Sequence, residues 1–214
     1  MTMKAKLAAR LALCTALLAM TGGVAANEPK GDPAAGEAQA APCAACHGQD
    51  GATGIDGTYP PLAGQNEKYL YRHLKMIQSG DRELLLMTGQ LNGKSDQDLA
   101  DLAAYFASLP SKLLRAAGED EQIASAAKIY RGGIARKGVA SCAACHGPRG
   151  VGNPFAGFPR VSGMPREYTI STLTAYREGT RATDEGFGGM MRGVAEGLTD
   201  GEIEMLADYL QGLN

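Results

Sequence analysis

The hexapeptide CAACHG occurs twice in the chain, at Cys43–Gly48 and at Cys142–Gly147. Cys-x-x-Cys-His is the signature of covalent c-type haem attachment. The spacing follows from the chemistry. Two thiols on one helical turn reach the two vinyl groups of a haem, and the adjacent His is held under the iron as its proximal ligand. A redox disulfide does not by itself require that His. A zinc site would have to join two pairs that lie 99 residues apart, each with its own His. Structural disulfides are compatible with an oxidising compartment. Two copies of the full signature, with no spare cysteine between them, favour two covalent haems. Cys43, Cys46, Cys142 and Cys145 are assigned to attachment, and His47 and His146 to the iron.

The hexapeptide heads a longer duplication. From Cys43 to Arg82 each residue aligns without a gap on the one 99 positions later, so Tyr59-Pro60 meets Phe158-Pro159, Tyr69 meets Tyr168 and Arg82 meets Arg181. The second copy then gains five residues, after which Met87 meets Met191, Ser95 meets Thr199 and Tyr105 meets Tyr209. Helical signals repeat with it. Asp32-Pro33 predicts an N-cap and a short helix running into Cys43, and the stretch from about Glu121 predicts the helix into Cys142. Helices follow near 66–79 and 165–178. The last helix of each copy opens on a capping box, Ser95-x-x-Asp98 and Thr199-x-x-Glu202. The shorter Asp98 makes the first box the weaker one. Leu99, Leu102 and Phe106, and Ile203, Leu206 and Leu210, then recur at helical spacing and predict core packing.

These patterns predict an all-α chain of two tandem helical domains, 27–112 and 121–214, joined by a linker at 113–120. Each domain wraps one haem, and the two are related by the internal repeat. The chain has no Trp and only four Phe, so an all-protein core would be thin, and the haem is expected to complete it. Residues 1–26 differ from the rest. Lys4, Lys6 and Arg10 precede an apolar run from Leu11 to Met20, and small residues end at Ala26. This reads as a cleaved secretory signal, which predicts a periplasmic location. A lipoprotein anchor at Cys14 fits poorly, because Leu13 stands where a small residue is needed. Removing the segment takes the net charge from −2 to −5, which excludes a broad basic footprint for nucleic acid. The first half, 27–113, carries a net −4 and the remainder a net −1.

A haem with only a proximal His has an open face. Its sixth ligand therefore separates an electron carrier from a catalyst. His73 has no partner in the second copy, where Thr172 stands, and reads as an ordinary surface or packing residue. Met76 sits at helical spacing and reads as packing. Met87 lies in a loop before the last helix, eight residues ahead of Ser95. In the second copy Met190 and Met191 share the equivalent loop, and Met191 is the one eight residues ahead of Thr199. The register selects Met87 and Met191 as axial ligands. Met190 is expected to pack against the haem rim or the domain interface. Pro60 and Pro159 follow each His at equal distance. Their carbonyls could accept the imidazole N–H and fix the ring, or they could be plain turn prolines.

Together, PCAACHGQDG, YPPLAGQNEKYL, MTGQLNGKSDQDLADLAAYF, CAACHGPRGVGN, AGFPRVSG and MMRGVAEGLTDGEIEMLADYLQGL resemble the di-haem cytochrome c4 family. The resemblance covers about residues 30–214. It implies two class I cytochrome c domains about a pseudo-twofold axis, with His/Met haems whose propionate edges face one another. It also implies the carbonyl role for Pro60 and Pro159, and Met191 rather than Met190 as ligand. The function implied is monomeric electron transport from a quinol–cytochrome c reductase to a haem-copper terminal oxidase, often with loose attachment to the membrane. A cytochrome subunit serving a periplasmic dehydrogenase or oxidase complex is the second reading. A di-haem peroxidase is the third, and it would need an open iron with acid–base residues beside it. The expected chain is thus a carrier and not an enzyme.

Overall fold

The computed structural model describes residues 28–214. The predicted signal at 1–26 lies outside the described residues. The described chain is helical, with two isolated β-bridges, Ile134 with Val139 and Asn153 with Phe158. No described helix is long and apolar enough to cross a membrane.

In the first half, α1 (Pro33–Glu37) starts where Asp32 accepts from the Ala34 N–H at 2.9 Å. It does not run into Cys43, as the sequence led us to expect. It stops after five residues, and a 3-10 turn at Ala41–Cys43 leads into α2 (Ala44–His47). Pro42, which offers no N–H, stands in the first turn of that 3-10 segment, where none is needed. Next come α3 (Glu67–Ser79), capped by Asn66, and α4 (Asp96–Ser108). In the second half, α5 (Asp120–Gly132) is followed by α6 (Cys142–His146), α7 (Arg166–Arg177), α8 (Met190–Glu196) and α9 (Asp200–Gly212).

Both capping boxes form. Asp98 accepts from the Ser95 N–H at 2.8 Å and Glu202 from the Thr199 N–H at 2.9 Å. The shorter acid is no handicap in this geometry. In the first half α1 lies on α4 so closely that a Cβ on Gly36 would come 2.1 Å from the Asp101 carbonyl oxygen. Asp101 secures that contact by accepting from the Asp32 N–H at 2.7 Å.

Each half has its own apolar cluster. Leu70, Leu102, Ala103 and Phe106 centre the first, and Tyr130, Ile203, Leu206 and Leu210 centre the second. The stripes read from the sequence on α4 and α9 supply most of these residues. Cys43 packs against the first cluster and Cys142 against the second. The connection leaves α4 at Leu109-Pro110 and enters α5 at Asp120.

The halves meet along a polar seam. At the start of α3, Gln65 and Asn66 reach the backbone of Arg160 and Phe158, while Lys68 and Arg72 reach the carbonyls of Phe155 and Gly157. At the start of α7, the Tyr168 N–H donates to the Gly57 carbonyl at 3.1 Å. In both halves, then, the helix that follows the haem signature faces a loop of the other half.

Candidate haem sites

The two signatures fold alike. Each forms one short helical turn ending on its His, and the next residue, Gly48 or Gly147, turns the chain at φ 84° or 78°. Only glycine adopts this conformation without strain. At Gly48 a Cβ would also strike the Thr53 carbonyl oxygen at 2.0 Å.

His47 and His146 are both buried at 8% exposure. His47 Nδ1 donates to the Pro60 carbonyl at 2.9 Å, and His146 Nδ1 to the Pro159 carbonyl at 2.8 Å. Burial lowers both imidazole pKa values, and the carbonyl contacts offset only part of that. Both rings are therefore neutral at pH 7. With the proton fixed on Nδ1, the Nε2 lone pair is left for a metal, and Nε2 has no hydrogen-bond partner among the described residues.

A second neighbour was missed in the sequence. Tyr59 stands edge-on to His47, with centroids 6.2 Å apart, and Phe158 stands 6.5 Å from His146. The available signal was the repeated aromatic–Pro pair, in which only the proline drew attention. The aromatic ring limits how the imidazole can tilt, while the carbonyl sets its rotation.

The four thiols are free and partly buried. Burial pushes Cys142 up to about 11 and raises Cys43 as well. Both are neutral thiols at pH 7, which makes them poor nucleophiles for adventitious disulfide exchange. Among the described residues no group of three or more His, Cys, Asp or Glu gathers to hold a metal ion. The two cysteine pairs therefore do not converge on one zinc.

Met87 ends a 3-10 turn, Leu85–Met87, and is half-buried beside the exposed Leu85 and Leu86. The second copy differs from expectation. Met190 and Met191 do not lie in a loop but open α8, whose start is fixed by Asp184 accepting from the Arg192 N–H at 2.9 Å. Asp184 is itself buried and pairs with the Arg192 side chain. At the head of this helix the two methionines differ in exposure: Met190 is 45% exposed and Met191 is half-buried. The residues fit a haem in each half. Each half offers two unbridged thiols, a neutral imidazole with a free Nε2, a thioether in the adjoining segment and an apolar cluster that Cys43 or Cys142 borders.

Of the two readings of His73, surface or packing, the structure bears out packing. It is buried, with its ring centroid 4.1 Å from that of Tyr69 at an interplanar angle of 52°, and it accepts from Arg82 Nη1 at 3.2 Å.

A family profile for cytochrome c matches residues 33–110 and again 134–214. The chain is 42% identical over 202 residues to cytochrome c4 of Pseudomonas aeruginosa, covering 94% of this chain and 98% of that one. It is similar to the crystal structure of reduced recombinant cytochrome c4 from Pseudomonas stutzeri, with a TM-score of 0.82 at 42% identity, over 86% of this chain and all of that one. It is also 31% identical, over 78% of this chain and 76% of the relative, to a thiosulfate dehydrogenase electron acceptor of Stutzerimonas stutzeri.

Proposed function

Because the chain belongs to the di-haem cytochrome c4 family, an electron-carrying family with two covalent haems, we propose that it is exported to the periplasm. There it shuttles electrons between a quinol-oxidising complex and a terminal oxidase. The observation that carries this reading is the matched pair of sites. In each half a buried His is locked to a proline carbonyl 13 residues downstream, and a half-buried Met follows later in the chain. Were these side chains to ligate a bound haem iron, the group would supply electron transfer and the chain would leave no place for a substrate on the metal.

In this proposal Cys43 and Cys46 hold one haem and Cys142 and Cys145 the other. His47 with Met87, and His146 with Met191, would ligate the two irons. Each haem, when bound, supplies a one-electron couple. The chain's own part is to keep that couple fast and oxidising. Pro60 and Pro159 hold the proton on Nδ1, so the imidazoles neither rotate nor change tautomer between redox states. A thioether ligand and a buried setting favour the reduced iron and raise the potential. The apolar clusters that Cys43 and Cys142 border would shield a bound haem from water on that side. Peripheral contact with the membrane through an integral partner fits the absence of a spanning helix among the described residues.

A second reading has an observation of its own. The likeness to a thiosulfate dehydrogenase electron acceptor supports a role in receiving electrons from a periplasmic dehydrogenase. Stopped-flow reduction of the oxidised protein by each donor class separates the two. Spectra of the isolated protein test the shared core: two low-spin haems, unreactive to peroxide, are expected. A high-spin haem that turns over peroxide overturns the carrier reading.

A further inference from the structure

The duplication extends to a contact that no local motif marks. Gln78, in the last turn of α3, donates through Nε2 to the Leu91 carbonyl at 3.0 Å and to the Lys94 carbonyl at 2.7 Å. Its repeat counterpart is Arg177, the last residue of α7. Arg177 donates through Nη1 to the Leu198 carbonyl at 3.2 Å. Leu198 is in turn the counterpart of Lys94. Two chemically different side chains thus reach the same backbone oxygen, the one just ahead of the cap residue Ser95 or Thr199.

That oxygen ends the segment that carries the methionine. Lys94 stands seven residues after Met87, and Leu198 seven after Met191. Each closes a matching turn: the Lys94 N–H donates to the Leu91 carbonyl at 3.2 Å, and the Leu198 N–H to the Ala195 carbonyl at 3.0 Å. Leu91 and Ala195 are both buried. The five extra residues of the second copy lie on the other side, between Arg181 and Met191. The chain before the methionine therefore varies in length, and the chain after it does not. Between Met87 and Lys94 the segment has little packing of its own. Thr88, Gly89, Gln90, Asn92 and Gly93 are exposed, and Gly89 and Gly93 take φ of 79° and 74°. Fixing its far end lowers the conformational entropy that a weak, neutral thioether ligand must overcome to stay seated.

We propose that Gln78 and Arg177 are positioning residues that hold Met87 and Met191 toward their irons. The inference rests on the reading of those two methionines as ligands. Each side chain acts through the carbonyl it grips, so each governs only the haem of its own half. Arg177 also pairs with Asp200 at 2.7 Å, so its grip includes a charge that Gln78 lacks.

The test is a titration of the oxidised holoprotein with imidazole, followed in the shifted methyl proton signals of each iron-bound methionine. Imidazole competes with the thioether, so its apparent affinity rises with the fraction of time that the methionine is off. Q78L removes both donations in the first half. It is expected to tighten imidazole binding at the first haem by roughly 2–10-fold, the equivalent of one net hydrogen bond, and to leave the second haem unchanged. R177L should do the same at the second haem alone, while R177K, which keeps a donor and the charge, should stay close to wild type. A wild-type protein without iron-bound methionine signals overturns the ligand reading itself. Signals that are present, with imidazole affinities unchanged in Q78L and R177L, overturn the positioning role alone. Equal tightening at both haems, or R177K behaving as R177L, assigns the effect to general loosening and overturns it as well. The two variants lie in different halves, so each gives a reading if the other fails to fold.

Discussion

The side-chain amide of Gln65 holds the backbone of Arg160 from both sides: Nε2 donates to its carbonyl at 3.0 Å, and Oε1 accepts from its N–H at 2.7 Å. Gln65 is buried, so this contact between the halves is shielded from water. Gln65→Leu removes both bonds and leaves a backbone donor and acceptor unsatisfied, at a cost of roughly 1–3 kcal/mol. Denaturant unfolding should show a lower midpoint, with loss of the seam before loss of either haem environment. An unchanged midpoint would falsify a structural role for the pair.

Met191→Ala is expected to open the second haem, seen as high-spin character in one of the two haems and a lower potential there. Met190→Ala should keep the low-spin spectrum, because that side chain faces outward at 45% exposure. The reverse outcome would reassign the ligand.

Pro159→Ala separates the ring of the proline from its carbonyl. The carbonyl that accepts from His146 Nδ1 at 2.8 Å is retained in alanine. The spectrum should therefore hold while stability falls by about 0.4–1 kcal/mol through the freer unfolded chain. A lost low-spin spectrum would mean that the pyrrolidine itself positions the imidazole.

Glu202 gives a pH dependence. Burial alone would raise its pKa, but hydrogen bonds from Lys137 and Thr199 outweigh that and lower it. A depressed carboxylate stabilises the fold above its unfolded value of about 4.3. That contribution fades as pH falls through the lower folded value. The stability gap between wild type and Glu202→Gln should be full near neutrality and close in acid. A gap constant with pH would argue against the charged cap.

Gly36→Ala places a Cβ 2.1 Å from the Asp101 carbonyl oxygen. Overpacking of this kind costs about 1–3 kcal/mol. The loss should appear in the first half's unfolding while the second haem's spectrum is unaffected.

What could be read in advance was local or repeated. The hexapeptides, the helix stripes and the capping boxes each lie within a few residues, and the constant offset let one copy interpret the other. Three features escaped. The helix at Met190–Glu196 reads as a loop because three glycines crowd the seven residues from Gly186 to Arg192, while the buried Asp184 that fixes its start acts through side-chain geometry. The early end of α1 at Glu37 carries no local signal, since Pro42 stands only in the next 3-10 turn. For His73 the packing reading holds, but its place beside the seam escaped, because its neighbour Tyr69 meets Arg181, 108 positions beyond His73, only once the two halves dock. Seam contacts carry no periodicity, so only the fold displays them.

The strap between the halves has a further effect. Lys112 binds it to Thr53 of the first half at 3.1 Å, and Gln211 binds the Arg115 carbonyl from the second at 2.7 Å. So short a tether holds each half near the other at an effective concentration on the order of millimolar. A seam of polar, individually modest contacts can then stay closed without the affinity that two free proteins would need. Cut within 110–119, the same surfaces would have to find each other by diffusion, and at cellular dilution they would drift apart.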